Sequence, residues 1–263
     1  MRVTVASALL AAVFAGSTAS ATDGDRPDAV PYRPTVSTPA ALTAPGWLEG
    51  EFGGLVIRNR PVDEGGERRL SVPFALKYAF TDDWGVRVTG ETFAYIRNGD
   101  GTTDRGVGDT SLVFKRRFAI DQTSAFGLEL GASFPTARPA LRVGSGKTDW
   151  SLNGIYSADI GSWHGDVNLV NTRLGGLGEG RSRLQTLGAF AVSRPVSSRW
   201  TAAAELSGTR QHGAPGTAQV LAAMSVALRR DLVVDFGAAH GLNRASPTWQ
   251  AFVGITMVLG RLE

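Results

Sequence analysis

From residue 46 onward, apolar and polar positions alternate with a period of two, the repeat of a strand that turns one apolar face outward or inward. In residues 69–80, Leu70, Val72, Phe74, Leu76, Tyr78 and Phe80 fall on one face, and Arg69, Ser71, Pro73, Ala75, Lys77 and Ala79 on the other. Wound at helical pitch, the same apolar set would scatter around the axis. Trp84, Val86 and Val88 oppose Arg87, Thr89 and Glu91 in the same way, and Phe126, Leu128, Leu130 and Phe134 oppose Glu129 and Ser133. Trp150, Leu152, Tyr156 and Ile160 oppose Asp149, Ser151, Asn153 and Asp159. Similar stripes lie near 47–58, 107–119, 163–173, 182–193, 200–211, 217–229, 231–241 and 248–260, and no amphipathic helix interrupts them. The pattern predicts an all-β chain of about twelve strands.

The connections between these stripes sort by length. Five are short turns (81–83, 121–123, 161–162, 195–199 and 229–231), and six are longer and more polar (near 59–66, 97–106, 135–147, 174–181, 210–217 and 242–248). Short and long alternate strictly, beginning and ending with a long one. A transmembrane antiparallel up-and-down barrel has this signature, with short periplasmic turns at one end and longer external loops at the other. A water-soluble sandwich has no reason to sort its turns. The tryptophans agree with a membrane barrel. Trp84, Trp163 and Trp200 each follow a short turn and Trp47 opens the first strand, whereas Trp150 and Trp249 descend from long loops. All six are expected as an interface girdle on the two rims, where an indole keeps an apolar face and a donor satisfied together.

The start of the chain places the barrel outside the cytoplasm. Arg2, the apolar run Val5–Phe14 and Ala19-Ser20-Ala21 read as a cleavable signal peptide over residues 1–21. Residues 22–45 carry Pro27, Pro31, Pro34, Pro39 and Pro45, too much proline for a ladder. They are expected to form an extended periplasmic N-terminal segment able to enter the bore as a partial plug, with the barrel proper at 46–263. The expected location is the outer membrane of a Gram-negative bacterium, with outer-membrane lipid and the barrel-assembly machinery as partners. The absence of cysteine excludes a disulfide framework and thiolate metal sites, and no stretch of the mature chain has the roughly 18 apolar residues of a membrane helix. A net charge of +3 without a basic block gives no reason to expect nucleic acid.

Alternation by itself leaves open which face lies inside. The loop sorting and the tryptophan rims favour the apolar stripe facing lipid. The interior then collects Glu49, Glu51, Arg69, Lys77, Arg87, Glu91, Asp109, Lys115, Arg117, Glu129, Asp159, His164, Asp166, Glu205 and Asp235 as lumen-facing candidates. A bore of about twelve strands is intermediate between side-chain-filled and openly aqueous.

Candidate chemistry adds little. His164 and Asp166 share a strand face, but one histidine and one carboxylate are too few for a metal, and a hydrogen-bonded lumen pair is the ordinary reading. The surroundings of His212 and His240 lack the His-x-Ser-Asn-Gly run of a barrel phospholipase. Gly144-Ser145-Gly146-Lys147-Thr148 is similar to the end of a phosphate loop, but position 141 is Leu and no helix follows, so it reads as an external loop. No catalytic residue, metal or cofactor is expected.

The sequence resembles a family of outer-membrane barrels labelled by the MetA pathway of phenol degradation and described as transporters. The resemblance rests on Asp25-Arg26-Pro27-Asp28, Pro45-Gly46-Trp47-Leu48-Glu49-Gly50-Glu51-Phe52-Gly53-Gly54 and Gly106-Val107-Gly108-Asp109-Thr110. It continues in Ser133-Phe134-Pro135-Thr136, Gly144–Asp149 and Gly254-Ile255-Thr256-Met257-Val258-Leu259-Gly260, and so spans nearly all of the mature chain. It implies a channel or transporter for small solutes, aromatic or hydrophobic compounds among them. The alternatives are a structural or adhesive barrel with a plugged lumen and, less favoured, a lipid-modifying barrel enzyme.

Overall fold

A computed structural model describes residues 26–59, 66–137, 146–176 and 182–262. The signal-peptide expectation, and the parts of the long loops at 60–65, 138–145 and 177–181, lie outside the described residues. The described residues form thirteen strands: β1 (Trp47–Arg58), β2 (Arg68–Ala79), β3 (Trp84–Arg97), β4 (Thr103–Gly106), β5 (Thr110–Ala119), β6 (Ser124–Phe134), β7 (Asp149–Ile160), β8 (Trp163–Arg173), β9 (Leu184–Pro195), β10 (Trp200–Gln211), β11 (Gln219–Arg229), β12 (Leu232–Gly241) and β13 (Trp249–Arg261). Apart from β4 and β5, sequence neighbours pair antiparallel, and β1 pairs with both β2 and β13, so the sheet closes on itself. Closure pairs every strand but the short β4 on both edges, which lets strands cross a bilayer.

β4 and β5 both pair with β3, β4 against Ala94–Arg97 and β5 against Trp84–Thr89. The ring therefore has twelve positions, one of them an interrupted strand. Residues 103–106, expected within a long loop, are strand. The break at Val107–Asp109 falls where Gly108 passes close to the Glu91 side chain, which a Cβ would strike, and Gly108 N donates to Glu91 O at 2.9 Å. The facing strand compensates with a bulge at Thr92, because Val72 pairs with Phe93 but Pro73 pairs with Glu91. Pro73 has no N–H to give the ladder, and a bulge is where a strand tolerates that. The extra residue reverses the alternation, so that Ala94 and Ile96 are buried while Phe93 is exposed.

The burial pattern settles which face is inside. Glu51, Lys77, Lys115, Glu129, Asp166, Glu205 and Asp235 are buried, whereas Phe114, Phe126, Leu128, Leu130, Leu169, Phe190, Leu206 and Val253 are exposed. This reverses the arrangement of a water-soluble barrel. The polar faces line the bore and the apolar faces form the outer wall.

The short turns are closed by their own side chains. Asp121 accepts from Thr123 N at 2.8 Å and Ser124 N at 2.8 Å, Thr81 Oγ1 from Trp84 N at 3.1 Å, and Ser197 Oγ from Trp200 N at 3.2 Å. These are Asx- and Ser/Thr-turns. Five tryptophans, Trp84, Trp150, Trp163, Trp200 and Trp249, are exposed on the outer wall near its rims. Arg116 lies over the Trp84 ring at 4.9 Å and Arg194 over the Trp163 ring at 5.5 Å, so two of the short-turn tryptophans carry a cation on one face. Trp47 departs from the expected girdle. It is 9% exposed and shares the inward alternation of Glu49 and Glu51. The chain reaches β1 from inside the bore, through Gly46 at φ +82°, and Trp47 N bonds back to Ala44 O.

Candidate functional site

The bore holds the N-terminal segment, residues 26–46, and the inward side chains hold the segment. Its first residues stand at the short β11–β12 turn, where Arg26 pairs with Asp231 at 3.2 Å and Ala29 N donates to Arg230 O at 2.8 Å. The chain then follows the inner wall almost once around. Arg33 grips Asp235 of β12 through Nε at 3.1 Å and Nη2 at 3.2 Å. Ser37 donates from N and Oγ to Glu205 of β10 at 2.7 and 2.9 Å. Thr38 exchanges bonds with Asn168 of β8, Thr38 N to Oδ1 at 3.0 Å and Nδ2 to Thr38 O at 2.9 Å. Ala40 N reaches Ser157 Oγ of β7 at 2.7 Å, and Lys115 of β5 donates to Pro39 O. Pro45 finally bridges Ala79 at the end of β2.

This path explains how a proline-rich segment survives in a buried site. Without strand or helix partners, its backbone donors need acceptors, and an unpaired buried N–H costs about as much as a lost hydrogen bond. The wall supplies them as side chains. Val30 N donates to Glu49 Oε2 at 2.8 Å and Tyr32 N to Glu51 Oε1 at 2.7 Å, beside the bonds of Ser37, Thr38 and Ala40. Ser37 and Ala40 are fully buried.

On the β1–β6 side the contacts become a charge cluster. Lys77 Nζ pairs with Glu49, lies 2.6 Å from Glu51 Oε1 and donates to Val30 O at 2.5 Å. Lys115 Nζ lies 3.4 Å from Glu129 Oε1, and Arg87 lies 3.3 Å from Glu129 Oε2. Asn153 Nδ2 also donates to Glu129, at 3.0 Å. Three cations thus meet three carboxylates, all out of water except the partly exposed Arg87. The Tyr32 ring sits among them, with Lys77 and Lys115 Nζ each 4.2 Å from its centroid and Arg87 at 5.4 Å. Charges so buried persist only when paired and hydrogen-bonded.

The other lumen-facing candidates lie apart from this cluster. Arg69 pairs with Glu91 in the long-loop half. Asp109 accepts from Ala137 N at 2.9 Å and so ties the strand break to the neighbouring loop. Arg117 shares the inward alternation of Lys115 nearer the short-turn end, where its N donates to Asp83 O at 2.8 Å. Asp159 is exposed and takes His164 Nδ1 at 2.6 Å, while His164 Nε2 meets Asp166 at 3.2 Å and Asp166 accepts from Ser157 Oγ at 2.5 Å. The His164–Asp166 pair is therefore one link of a rim network that includes Asp159 across the β7–β8 ladder. Charged positions on the strand faces leave out Tyr32 and Arg33 of the segment and the uncharged Asn153, Ser157 and Asn168. The last three share the inward face of their strands with charged candidates, a signal that alternation carries.

Among the described residues no group of three or more metal-ligating side chains is assembled, and no helix is long and apolar enough to cross a membrane.

No protein-family model and no curated protein matches the chain. Solved structures do. The COG4313 outer membrane channel from Pseudomonas putida F1 is similar over 86% of this chain and 99% of its own, at 14% identity and a TM-score of 0.68. The NanC porin is similar over 81% of this chain and 100% of its own, at 8% identity and a TM-score of 0.55. The KdgM porin is similar over 80% and 99%, at 8% identity and a TM-score of 0.53. At these identities the likeness is one of fold, that of outer-membrane barrels.

Proposed function

We propose that this chain is an outer-membrane channel or transporter for small solutes, with a bore narrowed by its own N-terminal segment. The observation that carries the reading is the attachment of residues 30–40 to side chains of β1, β2, β5, β7, β8, β10 and β12, in the half of the barrel nearer the short turns and, at Asn168, at mid-strand. The long-loop half above it is left to a solute. The apolar outer wall, the exposed tryptophans and the fold shared with an outer membrane channel and two porins support placement in the outer membrane of a Gram-negative bacterium. The resemblance to the MetA-pathway barrels supports aromatic or hydrophobic compounds as the solute class. Assembly then involves outer-membrane lipid and the barrel-assembly machinery, and the chain catalyses nothing.

The test is conductance in planar bilayers, comparing the mature chain with one lacking residues 26–45. The expected result is a small conductance for the mature chain and a several-fold larger one after deletion. Two silent forms, with liposomes no more permeable to sugars, amino acids and aromatic acids than empty ones, would leave the structural or adhesive barrel as the better reading. The buried charge cluster is what favours that second reading, since it seals the β1–β6 side of the bore.

A further inference from the structure

The segment does not fill the bore evenly. Two cavities flank it on the side away from the charge cluster. One, of about 140 Å³, lies in the long-loop half between Val36 and a wall that includes Leu55, Leu221, Ala239, Phe252, Gln219 and Gln250. The other, of about 300 Å³, lies in the short-turn half against His164, Asp166 and Ser193. Arg33 and Pro34 line both, and no other residue does. That dipeptide is the partition between the two cavities.

Arg33 occupies a built seat. Asp235, Gly254 and Gly53 stand in one row across β12, β13 and β1, since Asp235 pairs with Gly254 and Gly254 with Gly53. The guanidinium lies over both glycines, where a Cβ on Gly53 would come within 2.8 Å of it and one on Gly254 would collide with it. Asp235 takes it side-on through Nε and Nη2, Val253 O accepts at 3.3 Å, and the Phe252 ring centroid is 5.9 Å away. A fork-shaped cation at the floor of a small apolar cavity is complementary to a carboxylate carried on a flat apolar body. The size fits as well, because an engineered apolar cavity of about 150 Å³ in another protein holds benzene. At the long-loop end the cavity has an amide pair, Gln250 Nε2 donating to Gln219 Oε1 at 2.6 Å.

We infer that the long-loop cavity is a binding site for a small aromatic monocarboxylate, whose carboxylate takes Arg33 from Asp235 and so loosens the partition between the two cavities. The inference rests on the channel reading above and adds the solute's charge and the residue that reads it. Binding and opening become one event, because the ligand and Asp235 compete for the same guanidinium.

The test is calorimetric titration of the folded mature barrel in detergent, blank-corrected against micelles, with benzoate, its neutral analogue benzyl alcohol, and acetate. Benzoate is expected to bind about tenfold or more tighter than either, which is 1.4 kcal/mol or more. Arg33→Gln should bring benzoate and benzyl alcohol to similar affinity. Asp235→Asn removes the competitor and should tighten benzoate several-fold, an effect that misfolding would not produce. Ala239→Phe should fill the cavity and abolish binding while leaving Arg33 in place. Equal binding of benzoate and benzyl alcohol to the unaltered barrel, or benzoate affinity indifferent to Arg33→Gln and Asp235→Asn, overturns the inference. That can happen while deletion of 26–45 still raises conductance, whereas unchanged conductance on deletion overturns the channel reading whatever benzoate does.

Discussion

The ammonium group of Lys115 rests on Tyr32, with Nζ 4.2 Å from the ring centroid and 3.0 Å from Oη. Tyr32 Oη in turn donates to Ala41 O at 2.7 Å. The Tyr32 side chain therefore ties the segment to itself at Ala41 and to the wall at Lys115. Tyr32→Phe keeps the ring and loses both Oη bonds, whereas Tyr32→Ala also strips the face from two desolvated cations, each such contact contributing up to about 2 kcal/mol. Amide exchange at Ser37 N, Thr38 N and Ala40 N of the folded barrel is expected to be slow for the unaltered chain, faster for Tyr32→Phe and fastest for Tyr32→Ala. Equal rates for all three would show that the segment is held without the ring.

Lys77 is the hub of the charge cluster, since it is nearly fully buried and faces both Glu49 and Glu51. Removing it leaves two carboxylates buried against one another. Breaking a buried pair in this way costs about 3–5 kcal/mol. Lys77→Met should lower the urea midpoint of unfolding in micelles by that equivalent, and adding Glu51→Gln should restore part of the loss. Lys77→Met within about 0.5 kcal/mol of the unaltered chain would mean that water reaches the cluster.

Much of this wall was legible in the sequence, because period-two alternation is a local property and twelve stripes with sorted turns permit few arrangements. The inward set from Glu49 to Asp235 follows from alternation once the loop sorting and the tryptophan rims have chosen the face. What local pattern cannot give is partnership. Ser37 and Glu205 are 168 positions apart, and nothing near residue 37 says where its donors end. The bulge at Thr92 is similarly hidden, since its cause lies with Pro73 on the next strand and the break at Gly108. Trp47 went astray for a related reason. Its position at a strand start suggests a rim, but its orientation is set by a chain that enters β1 from inside the bore.

The outer wall makes a membrane-specific prediction. Leu128 lies near the middle of β6 and is 44% exposed on the apolar face, and Val196 lies at a short turn and is 58% exposed. An arginine near the bilayer midplane costs about 2–4 kcal/mol, and one at the interface about 0–1. Leu128→Arg should therefore destabilise the barrel in lipid vesicles, by equilibrium denaturation, far more than Val196→Arg. In a water-soluble barrel both changes would be nearly neutral, so equal small effects would contradict the membrane reading.

The turn at Asp121 carries a pH dependence whose sign follows from its bonds. The N–H and hydroxyl of Thr123 and the N–H of Ser124 all point at the Asp121 carboxylate, which holds its pKa below the ordinary aspartate value. A depressed folded-state pKa means that the unfolded chain binds the proton more readily. The contribution is then complete above the unfolded value of about 4 and is lost as pH falls through the folded one. Amide exchange in detergent micelles can read it at Thr123 N and Ser124 N. Their protection factors should be constant from neutral pH down to about pH 5 and fall in stronger acid, and Asp121→Ala should show the low value at every pH. Because the carboxyl is fully exposed, the effect is expected to stay in this turn and leave the ladder between Ala125 and Ala119 protected. Protection of Thr123 that persists to pH 2 would mean that the backbone alone holds the turn.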